Sequence, residues 1–254
     1  MATLHGTELA GRDTLVLGGT GNVGFFVVDG FLRAGARVIV PSRSPEKINR
    51  LKARLSHEGS QHVVAVPGNV GTPKGAESLG AMVGGLSDGL AAVAASTSGW
   101  HQNPSMMKAG FADFQHVIEA SLYPHYLAAE TFLPLIESDG SYTAINGPAG
   151  FVHSPFPGTG AISTAAAAQA MLIQAFARET EGHPRVNDVV MHAYMGPEGA
   201  RRGSPLEGEQ VGDFIAAVAS PLGRNVHAQT LHVKHGHQVD DALHGSFATE
   251  GTNR

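Results

Sequence analysis

Cysteine is absent from all 254 residues, which excludes a disulfide framework, a thiolate nucleophile and a thiolate-bound metal. Cationic charge is scarce: 17 Lys and Arg face 22 Asp and Glu, the net charge is -5, and the pI is near 6.3. No run of consecutive basic residues exceeds Arg201-Arg202. Nucleic acid and anionic membrane recruit clustered Lys and Arg, so neither is expected as a partner. No apolar run reaches the roughly 18 residues a membrane-crossing helix needs, and the first 30 residues show no charged-then-apolar leader. The expected location is the cytoplasm. Glycine, by contrast, is plentiful, at 33 against 14 prolines with 42% hydrophobic residues, which suits a globular chain with many tight turns. The length fits one domain over residues 1–254.

Short apolar runs alternate with helical spacing along the chain. Strands are expected at 14–17, 37–40, 62–66, 90–95, 141–145, 186–191 and 230–233. Helices are expected near 25–34, 45–56, 111–136, 160–180 and 209–219. Such alternation predicts an α/β fold: a single Rossmann-type, doubly wound parallel sheet of about seven strands with helices on both faces.

Gly18, Gly19, Thr20, Gly21, Asn22, Val23 and Gly24 fall between the first strand and the first helix. There, backbone N–H groups and a helix N-terminus can hold a pyrophosphate. Past the second strand stand Ser42 and Arg43. A carboxylate at that place selects NAD(H), whereas the forked donors of an arginine accept the 2′-phosphate of NADP(H). NADP(H) is therefore the expected cofactor, with NAD(H) the alternative.

The glycine turn, Arg43, Asn69-Val70 after the third strand, Arg185-Val186-Asn187 and the C-terminal segment from Gln229 to Gly236 together resemble the short-chain dehydrogenase/reductase family. The resemblance implies a nicotinamide cofactor held by the turn, Ser42, Arg43, Asn69, Val70, Ala95, Ser96 and Thr97. It also implies a small-molecule substrate and a homodimer or homotetramer. Where the family's commonest turn has glycine, this chain has Asn22. Asparagine tolerates the left-handed conformation, so phosphate binding is expected to survive.

The family's catalytic residues do not carry over. Ile162 and Ala166 stand at the Tyr and Lys positions, Ser121 at the Asn position, and Gly147, or by a one-residue slip Asn146, at the Ser position. Tyrosines occur only at 123, 126, 142 and 194, and no lysine lies between Lys108 and Lys234, so no shift of the alignment rebuilds the pair. Candidate replacements are His153 as a proton donor, Asn146 and Ser163 as hydrogen-bonding groups, and Tyr194 after the sixth strand. Trp100-His101 and His192 share that rim. His232, His235 and His237 lack a carboxylate or cysteine at a recognised ligand spacing, and no metal site is expected.

Three readings stay open. One is an NADP(H)-dependent oxidoreductase acting on a carbonyl, hydroxyl or enone with an unusual proton donor. Another is a non-redox cyclase, dehydratase, isomerase or epimerase in the same pocket. The last is a catalytically inactive cofactor-binding or partner-binding protein.

Overall fold

A computed structural model describes residues 3–248. Its central sheet has seven parallel strands: β1 (Asp13–Leu17), β2 (Arg37–Ser42), β3 (Val63–Pro67), β4 (Leu90–Ala95), β5 (Ile136–Asn146), β6 (Arg185–Met191) and β9 (Thr230–Val233). They are ordered β3-β2-β1-β4-β5-β6-β9. The chain winds outward from β1 to β3, then returns to lay β4 beside β1. That reversal creates the crevice in which open α/β sheets bind ligands. A two-stranded hairpin, β7 (Met195–Gly196) with β8 (Gly199–Ala200), stands apart from the sheet.

Helices α1 (Asn22–Arg33), α2 (Pro45–Arg54), α3 (His57–Gln61), α8 (Gly208–Ala219) and α9 (Gly236–Leu243) accompany α4 (Pro73–Gly84), α5 (Met106–Ser121), α6 (Tyr123–Phe132) and α7 (Gly160–Thr180). Alternate strand residues fill two apolar layers. Val16, Val38, Val40, Val189 and Leu231 pack in the layer containing α1 and α8. Leu15, Leu17, Ile39, Val93, Tyr142 and Val186 pack in the layer containing α4, α6 and α7. Strand β4, Leu-Ala-Ala-Val-Ala-Ala, is buried throughout, as befits a central parallel strand covered on both faces.

The Arg185-Val186-Asn187 segment has a structural reason. The buried Arg185 guanidinium donates to the carbonyls of Val218, Ala219, Ser220 and Gly223, closing the end of α8. Asn187 donates to Val226 and accepts from the Gln229 amide, which fixes the approach to β9.

Several sequence expectations are corrected. The stretch 111–136 is two helices: Gly110, at φ 80°, kinks α5 near its start, and Pro124 opens α6. A 3-10 turn, Leu133–Leu135, then leads directly into β5 at Ile136. Helix α4, unread in the sequence, carries proline in its first turn and a Thr72 cap, and buries Ala76, Leu79 and Val83 on one face. By length and composition α7 would suit a membrane span, yet half of that stretch is buried in the fold. Its apolar character serves packing.

Candidate active site

The crevice begins at the end of β1. Gly18 takes φ 78°, a conformation that side chains disfavour, and a Cβ there would collide with the Ser96 carbonyl. The Gly21 amide donates to the Gly18 carbonyl at 2.8 Å and the Phe25 amide to Gly21 at 3.0 Å. The amides of Asn22, Val23 and Gly24 therefore precede the first intrahelical bond of α1 and lack an acceptor within the helix. No side chain caps this helix and no acidic residue sits in its first turn. Helices α2, α3 and α4, by contrast, are capped by Ser44, Ser56 and Thr72. An uncapped N-terminus at the sheet's switch point favours an anion through free donors and the helix dipole. Asn22 is the first residue of α1 rather than a left-handed turn residue; Gly18 supplies that conformation instead.

The other cofactor candidates divide. Arg43 is exposed immediately after β2. Ser42 Oγ donates to the Ser44 carbonyl and accepts the Ser44 amide, so it shapes the entry to α2. Asn69 Oδ1 accepts the Gly71 amide at 2.8 Å. The side chains of Val70 and Ala95 are buried in the core, leaving only their backbones for a ligand. The Ser96 amide donates to Leu17. Beside it, Thr97 Oγ1 is buried with no hydrogen-bond partner among the described residues. A buried hydroxyl without a partner is costly, and here it adjoins the glycine turn. The turn, the bare helix end and this hydroxyl fit a dinucleotide.

The positions matching the family's tyrosine and lysine are filled with packing. Ile162 packs with Val117, Ala161 and Phe114 between α7 and α5, and Ala166 is 8% exposed. Behind them lies a buried polar network. Asn146 Nδ2 donates to the Ala166 carbonyl at 2.9 Å and to Asp188 Oδ2 at 3.0 Å, while its Oδ1 accepts the Gly147 amide at 2.9 Å. Gln169 Nε2 donates to Asp188 Oδ1 at 2.9 Å and to the Ile145 carbonyl at 3.3 Å. Burial pushes the Asp188 carboxyl up to about 6, against the opposing pull of the Asn146 and Gln169 bonds. Both Asn146 amide protons are committed, so it has none for a substrate oxygen. That corrects its sequence assignment.

The remaining candidates are scattered. Ser163 is buried near the start of α7, with its Oγ 3.5 Å from Thr159 Oγ1. His153 is exposed in the loop before α7. Tyr194 is 56% exposed beyond β6, its amide donating to Ser204 Oγ. His192 and His232 approach each other at 3.5 Å between ring nitrogens, with the Phe151 ring edge-on to His232. His235 and His237 stack separately, and among the described residues no three His, Cys, Asp or Glu side chains are placed to hold a metal ion.

Sequence reasoning missed the polar groups behind the crevice. Asp188 and Gln169 were legible as polar residues inside apolar segments, a pattern that marks either a satisfied network or a functional group. His125, in the first turn of α6, is fully buried, and burial lowers its pKa to about 4. Its Nε2 lies 3.0 Å from Ser98 Oγ, which also donates to the Ser121 carbonyl at 2.9 Å. The rim is framed by two joined loops. The Asn103 amide donates to Gly158 and Gln102 Nε2 to Pro157, while Asp113 holds Asn103 Nδ2 and lies 3.3 Å from His101 Nε2. Trp100 and Phe156 stand exposed on these loops.

Comparisons with known proteins agree with this geometry. A family profile described as short chain dehydrogenase matches residues 12–195. The chain is 28% identical over 134 residues to the rhamnolipids biosynthesis 3-oxoacyl-[acyl-carrier-protein] reductase of Pseudomonas aeruginosa, covering 53% of this chain and 51% of that protein. It is 33% identical over 78 residues to a short chain dehydrogenase/reductase of Macrophomina phaseolina, covering 31% of this chain and 45% of that one. The matched stretch thus spans about half the length of these curated relatives. Among solved structures, a short-chain dehydrogenase/reductase from Serratia marcescens superposes with TM-score 0.79 at 16% identity, covering 90% of this chain and 98% of that one. The RhlG/NADP active-site complex of Pseudomonas aeruginosa superposes with TM-score 0.77 at 21% identity, covering 92% and 98%. Those two likenesses speak for the fold alone. With the family profile spanning the glycine turn through β6, the chain belongs to the short-chain dehydrogenase/reductase family.

Proposed function

We propose that the protein is an NADP(H)-dependent oxidoreductase acting on a small carbonyl, hydroxyl or enone substrate, with a proton donor other than the family's tyrosine. The observation that carries this reading is the uncapped N-terminus of α1 beside the unpartnered Thr97 hydroxyl. The chain keeps a dinucleotide site while Ile162 and Ala166 replace the usual catalytic pair. An NADP complex among the structural neighbours and a 3-oxoacyl reductase among the relatives support the same choice.

In this account the amides of Asn22, Val23 and Gly24 bind the pyrophosphate and Arg43 binds the 2′-phosphate. The nicotinamide, when bound, supplies or accepts a hydride. The protein's share is positioning, which by itself can supply much of the rate of such a transfer. The Asn146–Asp188–Gln169 network holds the end of β5 against α7. The Asn103–Gly158 link joins the loops at the rim. Exposed Phe111, Tyr126 and Met171 on α5, α6 and α7 support pairing of two copies through those helices.

NADPH and NADH titrations by fluorescence, followed by absorbance at 340 nm with a panel of ketones, enones and quinones, test the proposal. Tight NADPH binding with oxidation by at least one class is expected. No oxidation across the panel counts against it. The burial of Ile162 and Ala166 also favours a second reading, a non-redox reaction in the same pocket. Product formation without net change in NADP(H) would select that one.

A further inference from the structure

The loop after β4 carries a hydrogen-bonded serine–histidine pair, Ser98 with His125, outside the positions matched to the family's catalytic residues. Ser98 is exposed in the loop after β4, two residues beyond the Ser96 carbonyl that abuts Gly18. Its hydroxyl is held by two groups, the Ser121 carbonyl at 2.9 Å and His125 Nε2 at 3.0 Å. Ser121 closes α5 one turn after Val117, which packs against Ile162. The Ser98 loop is therefore coupled both to the dinucleotide turn and to the helix pair at the missing tyrosine.

The protonation pattern follows from donor and acceptor types. A carbonyl only accepts, so the Ser98 proton points at Ser121 and His125 must donate from Nε2 to Ser98 Oγ. That leaves His125 Nδ1 as a bare acceptor, and this atom is buried without a hydrogen-bond partner among the described residues. An unsatisfied acceptor is tolerated better than an orphaned N–H. The imidazole lies in the first turn of α6, where the helix dipole opposes a positive charge, and full burial also holds it neutral. A neutral imidazole donating to a hydroxyl strengthens the donor on the far side of that hydroxyl.

Resting on the oxidoreductase reading, we propose that Ser98 is the group that hydrogen-bonds and protonates the substrate oxygen, with His125 as the positioning residue behind it. On substrate binding the Ser98 proton turns from the Ser121 carbonyl to the substrate carbonyl oxygen. The carbonyl carbon gains the hydride supplied by NADPH and its oxygen gains the Ser98 proton. Ser98 Oγ takes a proton from solvent water, leaving hydroxide in solution and NADP⁺ as the oxidised product. His125 keeps its Nε2 proton throughout.

Two measurements on the full-length protein test this. The first is ¹⁵N NMR of His125 in histidine-labelled wild type near pH 7, where a neutral Nε2–H ring is expected and a neutral Nδ1–H ring overturns the inference regardless of turnover. The second compares NADPH-dependent carbonyl reduction in Ser98→Ala and Ser98→Thr. Loss of the hydroxyl should lower kcat by about a hundredfold with NADPH affinity unchanged, and threonine should restore much of the rate. Full turnover in Ser98→Ala overturns this inference alone. A wild type inactive on every carbonyl overturns the oxidoreductase reading and this role with it.

Discussion

Asn146 reaches from the end of β5 to donate a 2.9 Å hydrogen bond to the Ala166 carbonyl in α7. The strand end aligned with the family's serine thus grips the backbone of the residue aligned with its lysine. The grip is completed by Asp188 and Gln169, so the network ties β5, β6 and α7 together beneath the crevice. Its chemistry is that of a buried, nearly satisfied polar cluster, which specifies geometry more than it adds stability.

Removing one member should expose that cost. Asn146→Ala deprives Asp188 of a donor and leaves the Gly147 amide without its acceptor, so urea denaturation should show a loss of about 1–3 kcal/mol. NADPH affinity should stay within about twofold, because the glycine turn shares no hydrogen bond with the network. A neutral effect on stability would mean the network contributes nothing.

Two buried groups should cancel in the pH profile of stability. Asp188 rises from 3.8 to about 6 on folding, so the folded state binds the extra proton and stability falls as pH climbs through that window. His125 drops from 6.5 to about 4; here the unfolded state binds the extra proton and stability rises with pH over nearly the same window. Each is worth on the order of 3 kcal/mol from end to end, with opposite sign. Asp188→Asn, whose amide faces two donors and is itself destabilising, should therefore gain stability relative to wild type as pH rises from about 4 to 6. His125→Gln should do the reverse. Parallel pH profiles for wild type and both variants would contradict the assignment.

The cofactor site makes a separate demand. Arg43→Ala should weaken NADPH binding about tenfold or more by removing charge-assisted bonds, while NADH binding changes little. Gly21→Val should weaken both, since its side chain occupies the space before the bare amides of α1. Isothermal titration with the two cofactors separates these patterns. Equal losses for NADPH and NADH in Arg43→Ala would remove the 2′-phosphate role.

Much of the fold was legible because the strands are short, apolar and separated by glycine or helical spacing. The turn at Gly18 to Gly24 could be read because a bare glycine run after a strand has few other uses. Helix α4 escaped notice although Thr72, Pro73, Leu79 and Val83 carried a cap and an apolar face, because its glycines blur the pattern. The division near residue 122 was hidden because α5 and α6 lie end to end across a break at Leu122. At the site, sequence position showed what was missing, whereas the Ser98–His125 and Asn146–Asp188 contacts join residues 27 and 42 positions apart and depend on packing. Asn146 misled for the same reason: its type suits a substrate oxygen, but its three bonds turn it inward.

The most direct test follows deuterium from NADPH labelled at the transferable C4 position into product, read by mass spectrometry over the ketones and enones of the panel, whose products keep the transferred atom in a carbon–deuterium bond. The account predicts an alcohol or reduced enone one mass unit heavier at the carbon that received hydride. Product without the label, or NADPH bound tightly and never oxidised, would contradict it.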